Sequence, residues 1–167
     1  MVFTKAELIS SLQHEVRIVL HLASKIDRAK CDYRPTPKQR STLELLRYMS
    51  MGGPAILRAA KVGNFDPAVW AVAAKAAEAR DFDQAIAAIS AQTDEYAALL
   101  ADVSDADLRA EIEMFGQKTT RGAFLVSHAL CGCAAYRMQL FQYLKACGRE
   151  ELNTMNLWAG VDPPPAT

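Results

Sequence analysis

Apolar residues return at three- and four-residue spacings through most of this 167-residue chain, and prolines, glycines and capping residues separate the runs. That pattern predicts long amphipathic helices and almost no strand. The first expected helix runs from about Thr4 to Arg28, opened by Thr4-Lys5-Ala6-Glu7 in the form of a capping box, with Leu8, Leu12, Val16, Val19, Leu20 and Ile26 on its apolar face. The second is expected to start at Thr36-Pro37-Lys38-Gln39, where threonine is the cap, proline sits at the first helical position and glutamine at the third. Leu43, Leu45, Leu46, Met49 and Met51 give it a broad apolar face, and Gly52-Gly53-Pro54 predicts a kink or short break before residues 55–61 resume.

After Val62-Gly63-Asn64, Asp66 and Pro67 cap and open a short alanine-rich helix, Ala68 to Ala79, that carries Trp70. Asp81 or Asp83 opens the third bundle helix, running through Ile86, Ile89, Tyr96, Leu99 and Leu100 to Val103. Ser104-Asp105-Ala106-Asp107 begins one more turn, and Ile112, Met114 and Phe115 ahead of Gly116 read as a brief extended piece rather than a full strand. The longest pattern spans Thr119 to Gly148, capped by Thr119 or Thr120 and stopped by glycine. These elements predict an all-α four-helix bundle over 1–150, with one or two crossover connections and a short extra helix. An irregular tail over 151–167 ends in Asp162-Pro163-Pro164-Pro165, and its Leu157 and Trp158 are expected to pack back on the bundle.

Composition narrows the function classes. A chain of this length suits one domain able to bury roughly 70% of its unfolded surface. Nineteen basic residues balance nineteen acidic ones, which removes the long-range field that nucleic acid or anionic membrane would exploit. The N-terminal stretch is broken by charge every few residues, and nowhere do about 18 apolar residues run together, so a cytoplasmic location is the expectation. Cys31, Cys131, Cys133 and Cys147 form no disulfide framework; reduced, partly buried thiols are expected.

The longest helix also carries the candidate chemistry. His128, Gly132, Tyr136, Gln139 and Tyr143 follow one another at intervals of four, four, three and four, a polar stripe along an otherwise apolar helix. Such a stripe needs a partner or a pocket. His14 and His21 lie two turns apart on the first helix, too far for both to bind one ion directly.

Three stretches together resemble the DinB/YfiT-like superfamily of small bacterial four-helix-bundle proteins: Thr42-Leu43-Glu44-Leu45-Leu46-Arg47-Tyr48, then Ser104-Asp105-Ala106-Asp107-Leu108 with the extended piece, then Tyr136-Arg137-Met138-Gln139-Leu140 leading to Gly148. That resemblance covers most of residues 4–148 and implies a divalent metal such as zinc or nickel held by three histidines. The corresponding positions here are Tyr48, Gly132 and Tyr136. Glycine has no donor, and a tyrosine must lose a proton whose ordinary pKa is about 10 before it binds metal well. Arg137 and Gln139 keep the rest of the motif. No metal cofactor is expected at those positions, and the site reads as a degenerate metal centre.

Three functions follow as expectations. The first is a small-molecule-binding bundle, its pocket formed by Tyr48, His128, Gly132, Tyr136 and Gln139, with core packing as the alternative role for the two tyrosines. The second is an enzyme of the kinds the resemblance implies, a metal-dependent thiol S-transferase, isomerase or hydrolase, drawing non-standard ligands from His128, Cys131, His14 or His21. A metal-free version would use His128 as a general base. The third is a structural homodimer built on Trp158 or the Trp70 segment.

Overall fold

The computed structural model describes residues 3–164. Its main helices are α1 (Lys5–Ala23), α2 (Thr42–Val62), α3 (Pro67–Glu78) and α4 (Phe82–Leu99). A hairpin of β1 (Glu111–Met114) and β2 (Gln117–Thr120) leads to a last rod, in which α5 (Arg121–Leu125) and α6 (Cys131–Ala146) are joined by a π-helical turn over Val126–Leu130. Helices α1, α2, α4 and the α5–α6 rod form an all-α four-helix bundle, while α3 packs on α2. One apolar core runs its length. Leu12, Ile18, Leu22, Leu45, Leu46, Leu125 and Leu140 are fully enclosed in it, each gaining about 1.5–3 kcal/mol from burial.

Local chemistry sets the helix starts, and two boundaries differ from the expectation. In α1, Thr4 accepts from the Glu7 amide at 3.2 Å while the Glu7 carboxylate accepts from the Thr4 amide at 2.7 Å. That helix ends at Ala23, not Arg28. Asp27 caps a separate 3₁₀ turn by accepting from the Ala29 amide at 3.0 Å, so the aspartate starts a new element instead of continuing the old one. The second helix starts at Thr42, not at Thr36-Pro37. Thr36 to Gln39 closes only a turn, and the working capping box is Ser41 with Glu44, whose carboxylate accepts from the Ser41 amide at 2.7 Å.

Gly52-Gly53-Pro54 does not break α2, which runs unbroken to Gly63 in the left-handed conformation. Pro54 removes the donor that the Ser50 carbonyl would have used. The Arg80 guanidinium, between α3 and α4, replaces it, donating from Nη1 to that carbonyl at 3.3 Å and to the Ser50 hydroxyl at 2.5 Å.

Asp66 and Asp81 cap α3 and α4 as expected, but α4 stops at Leu99 rather than Val103. The brief extended piece is a full antiparallel hairpin, Glu111 opposite Thr120 and Met114 opposite Gln117. Its two-residue loop, Phe115 and Gly116, has φ of 53° and 74°, the left-handed pair that a type I′ turn requires. The long helix therefore starts at Arg121, with Thr120 as cap and Thr119 inside β2.

After Gly148 the chain returns along α1. A π-helical turn over Met155–Ala159 buries Asn156 and Leu157, while Trp158 stays 59% exposed beneath the Arg137 guanidinium, 4.8 Å from its ring centre. Pro165, the last proline of the expected polyproline run, lies outside the described residues. Among the described residues no helix is long and apolar enough to cross a membrane.

Candidate functional site

The bundle interior holds a cavity of about 50 Å³ between α1, α2, α4 and the last rod. Four of the expected pocket residues, Tyr48, His128, Gly132 and Tyr136, line it. They come from two helices about eighty residues apart in the chain. His128 is the only exposed residue of the lining, which marks the open end of the cavity. Its Nδ1 lies 3.2 Å from the Phe124 carbonyl. A carbonyl only accepts, so Nδ1 carries the proton and Nε2 of the neutral ring is left as an acceptor. Phe124 stacks on the same ring at 4.2 Å and the strained Phe115 meets it at 5.8 Å, so the imidazole is held by aromatic contacts.

Tyr48 and Tyr136 meet edge to face, ring centres 4.8 Å apart. The Arg40 guanidinium lies over the Tyr48 ring at 4.1 Å, and Trp70 approaches it at 6.1 Å. Burial, and then the neighbouring Tyr136 phenol, push ionisation of Tyr48 well above the ordinary range. Gly132 faces open space: a Cβ built there has nothing within 4 Å. Tyr48 also lines a wider groove of about 330 Å³ with Arg40, Arg47, Trp70 and Glu78.

Gln139 is turned away from the cavity. Its Nε2 donates to the Tyr143 hydroxyl at 2.6 Å, and that hydroxyl donates to the Arg40 carbonyl at 2.9 Å. Tyr143 is buried against Tyr33, so this pair of the stripe anchors the Tyr33–Arg40 loop. Gln139 and Tyr143 share α6 with Gly132 and Tyr136, so position along the helix divides the stripe: the cavity lining ends at Tyr136, and the Tyr33–Arg40 loop meets the helix beyond it.

The cavity floor consists of side chains that the periodic stripe did not reveal. Glu15, Gln92 and Cys133 line it. Gln92 donates to the Met49 carbonyl at 2.8 Å and accepts from the Tyr96 hydroxyl at 2.9 Å, and that hydroxyl lies 3.9 Å from Cys133 Sγ. Burial pushes the Cys133 thiol up to about 11. Glu15 is 8% exposed and pairs with Arg137, 3% exposed, through a 2.9 Å bond from Nη1 to Oε1. Its other oxygen, Oε2, is buried without a hydrogen-bond partner, and desolvation holds the carboxyl above its usual range despite Arg137. A charged position inside the apolar face Leu8, Leu12, Val16, Val19 was the available signal for Glu15.

The three positions to which the family resemblance assigns metal ligands, Tyr48, Gly132 and Tyr136, all line this one cavity. The donors there do not fit a divalent ion, because glycine offers nothing and burial opposes the tyrosinate form of Tyr48. The alternative ligands are scattered. His14 contacts the Trp158 carbonyl at 3.2 Å and His21 contacts Asn156 at 3.1 Å, both on the tail side of α1, while Cys131 is exposed. Among the described residues no three of His, Cys, Asp and Glu form a group that could hold a metal ion.

The fold is shared with the crystal structure of a DinB-like protein, YjoA, from Bacillus subtilis. The two superpose with a TM-score of 0.67 over 87% of this chain and 94% of that one, at 22% identity. The chain thus has a DinB-like fold. No family model and no curated protein matches the sequence.

Proposed function

We propose that this protein is a small-molecule-binding bundle whose pocket occupies the place where the DinB superfamily holds its metal. The observation that carries the reading is the convergence of Tyr48, His128, Gly132 and Tyr136 on one cavity that also contains polar floor groups. A concave, mostly apolar site with a few converging polar atoms is the usual form of a ligand pocket. Gly132 supports it by leaving the helix backbone open to a guest. About 50 Å³ is a third of the ~150 Å³ that a benzene-sized guest fills. Only one end of a ligand enters the cavity, and the remainder lies outside its open end at His128.

The test is a ligand screen by thermal shift on the wild type and on Tyr48→Phe/Tyr136→Phe. That double variant removes only hydroxyls, so it should fold and melt within about 1–3 kcal/mol of the wild type while changing its response to ligands. Identical ligand responses in both proteins would refute a role for the hydroxyls. Metal titration separates the degenerate-centre reading from an enzyme with non-standard ligands. Stoichiometric zinc or nickel that disappears in His128→Ala would establish the latter. Homodimerisation is a weaker reading, favoured by Val62, Val69 and Val72, which stand 78%, 63% and 72% exposed on α2 and α3. Light scattering across a dilution series decides it.

A further inference from the structure

We infer that the cavity takes a primary ammonium group, held by Glu15 Oε2. This rests on the pocket reading above and names the ligand class. Among the described residues only two buried side-chain polar atoms lack a partner, Glu15 Oε2 and Arg137 Nε, and of these residues only Glu15 lines the cavity. A carboxylate oxygen nine-tenths removed from water and unpaired costs folding free energy unless a donor reaches it.

The charge of the missing donor follows from its surroundings. Among the described residues no lysine or arginine lines the cavity, and Arg137 spends its Nη1 on Oε1, the other carboxylate oxygen. On the cavity floor Gln92 already spends its Oε1 on the Tyr96 hydroxyl, so Glu15 Oε2 is the acceptor left open there, and the guest donates to it. A neutral donor would supply an ordinary hydrogen bond to Oε2; an ammonium supplies a charge-assisted one and adds a second cationic neighbour to Arg137 on a carboxylate that burial still disfavours. Size agrees. With ~10–15 Å³ needed per water-sized group, the cavity admits about four heavy atoms, an aminopropyl end. Val16, Val19, Ile56 and Ile89 line the path for its methylenes.

The experiment is calorimetric and thermal-shift titration of the full chain with n-propylammonium chloride, against 1-propanol and sodium propionate at matched ionic strength. Saturable binding of propylammonium at least ten-fold tighter than either control, weakened at least ten-fold in Glu15→Gln, supports the inference. Gly132→Leu provides a variant that leaves the Glu15–Arg137 pair untouched, and it should lose the same binding by filling the cavity. It keeps the test decisive if Glu15→Gln fails to fold. Propanol binding as well as the amine, or amine binding unchanged in either folded variant, would overturn the ammonium assignment while leaving the pocket reading standing. Failure of all three probes also overturns it. The pocket reading falls only if the wider ligand screen fails too.

Discussion

A Cβ placed on Gly53 would stand 2.2 Å from the Tyr96 hydroxyl, so helices α2 and α4 approach each other at a point where only glycine fits. Tyr96 cannot give way. Its side chain is fully buried and its hydroxyl is committed to Gln92, on the floor of the cavity. Gly53→Ala should therefore destabilise the protein by about 1–3 kcal/mol, although alanine is the better helix former. Urea denaturation measures this, and the loss should shrink in a Tyr96→Phe background, where the colliding oxygen is gone.

Gly132 predicts the opposite sign. It lies inside α6, and a methyl group added to it would meet nothing within 4 Å, so Gly132→Ala removes backbone freedom from the unfolded chain at no steric cost. A rise in stability of about 0.5–1 kcal/mol is expected. A higher melting temperature together with weakened ligand response would show that the glycine serves the pocket rather than the fold.

Glu15 and Arg137 should behave as a buried pair whose halves depend on each other. Removing one leaves the other charged and enclosed, so Glu15→Ala or Arg137→Ala should each cost about 3–5 kcal/mol, whereas Glu15→Met/Arg137→Met should cost much less than the sum. The pH dependence has a definite sign. The folded state raises the Glu15 pKa above its unfolded value, so its contribution is fully present below the unfolded pKa near 4.5 and is lost as pH rises through the folded one. Denaturant melts from pH 4 upward should show the wild type losing stability relative to Glu15→Gln; parallel curves would contradict the assignment.

The cysteines should separate by reactivity. Cys131 is exposed, whereas Cys133 is held protonated by burial, its pKa pushed up to about 11. Brief alkylation at pH 7.5 followed by peptide mass spectrometry should modify Cys131 well before Cys133. Equal labelling would mean that the cavity opens readily to solvent.

Much of the bundle was legible in the chain because helix formation is local. The Thr4–Glu7 box, Asp66-Pro67, Asp81 and Gly148 act within a turn of themselves, and each does in the fold what its spacing suggested. The missed starts have equally local causes: Ser41 with Glu44 has the same box form as Thr4 with Glu7, and Asp27 caps a turn of its own. Continuity of α2 through Pro54 was not legible, since the donor that answers Ser50 comes from Arg80, thirty residues on.

The candidate site divides along the same line. Periodicity along the last rod singled out His128, Gly132 and Tyr136, and the family resemblance added Tyr48; all four line one cavity. The same periodicity included Gln139, which the structure commits to Tyr143 and the Arg40 loop. Glu15 and Gln92 interrupt apolar helix faces, a signal present in the chain but without direction until the helices pack. The sequence by itself determined the helices, their caps and the absence of histidine at the three motif positions, because those depend on neighbours within a few residues. Only the tertiary structure decided which polar groups share a cavity and that Glu15 keeps one oxygen unpaired. Those facts depend on helices from opposite ends of the chain meeting, and on which partner reaches each atom first.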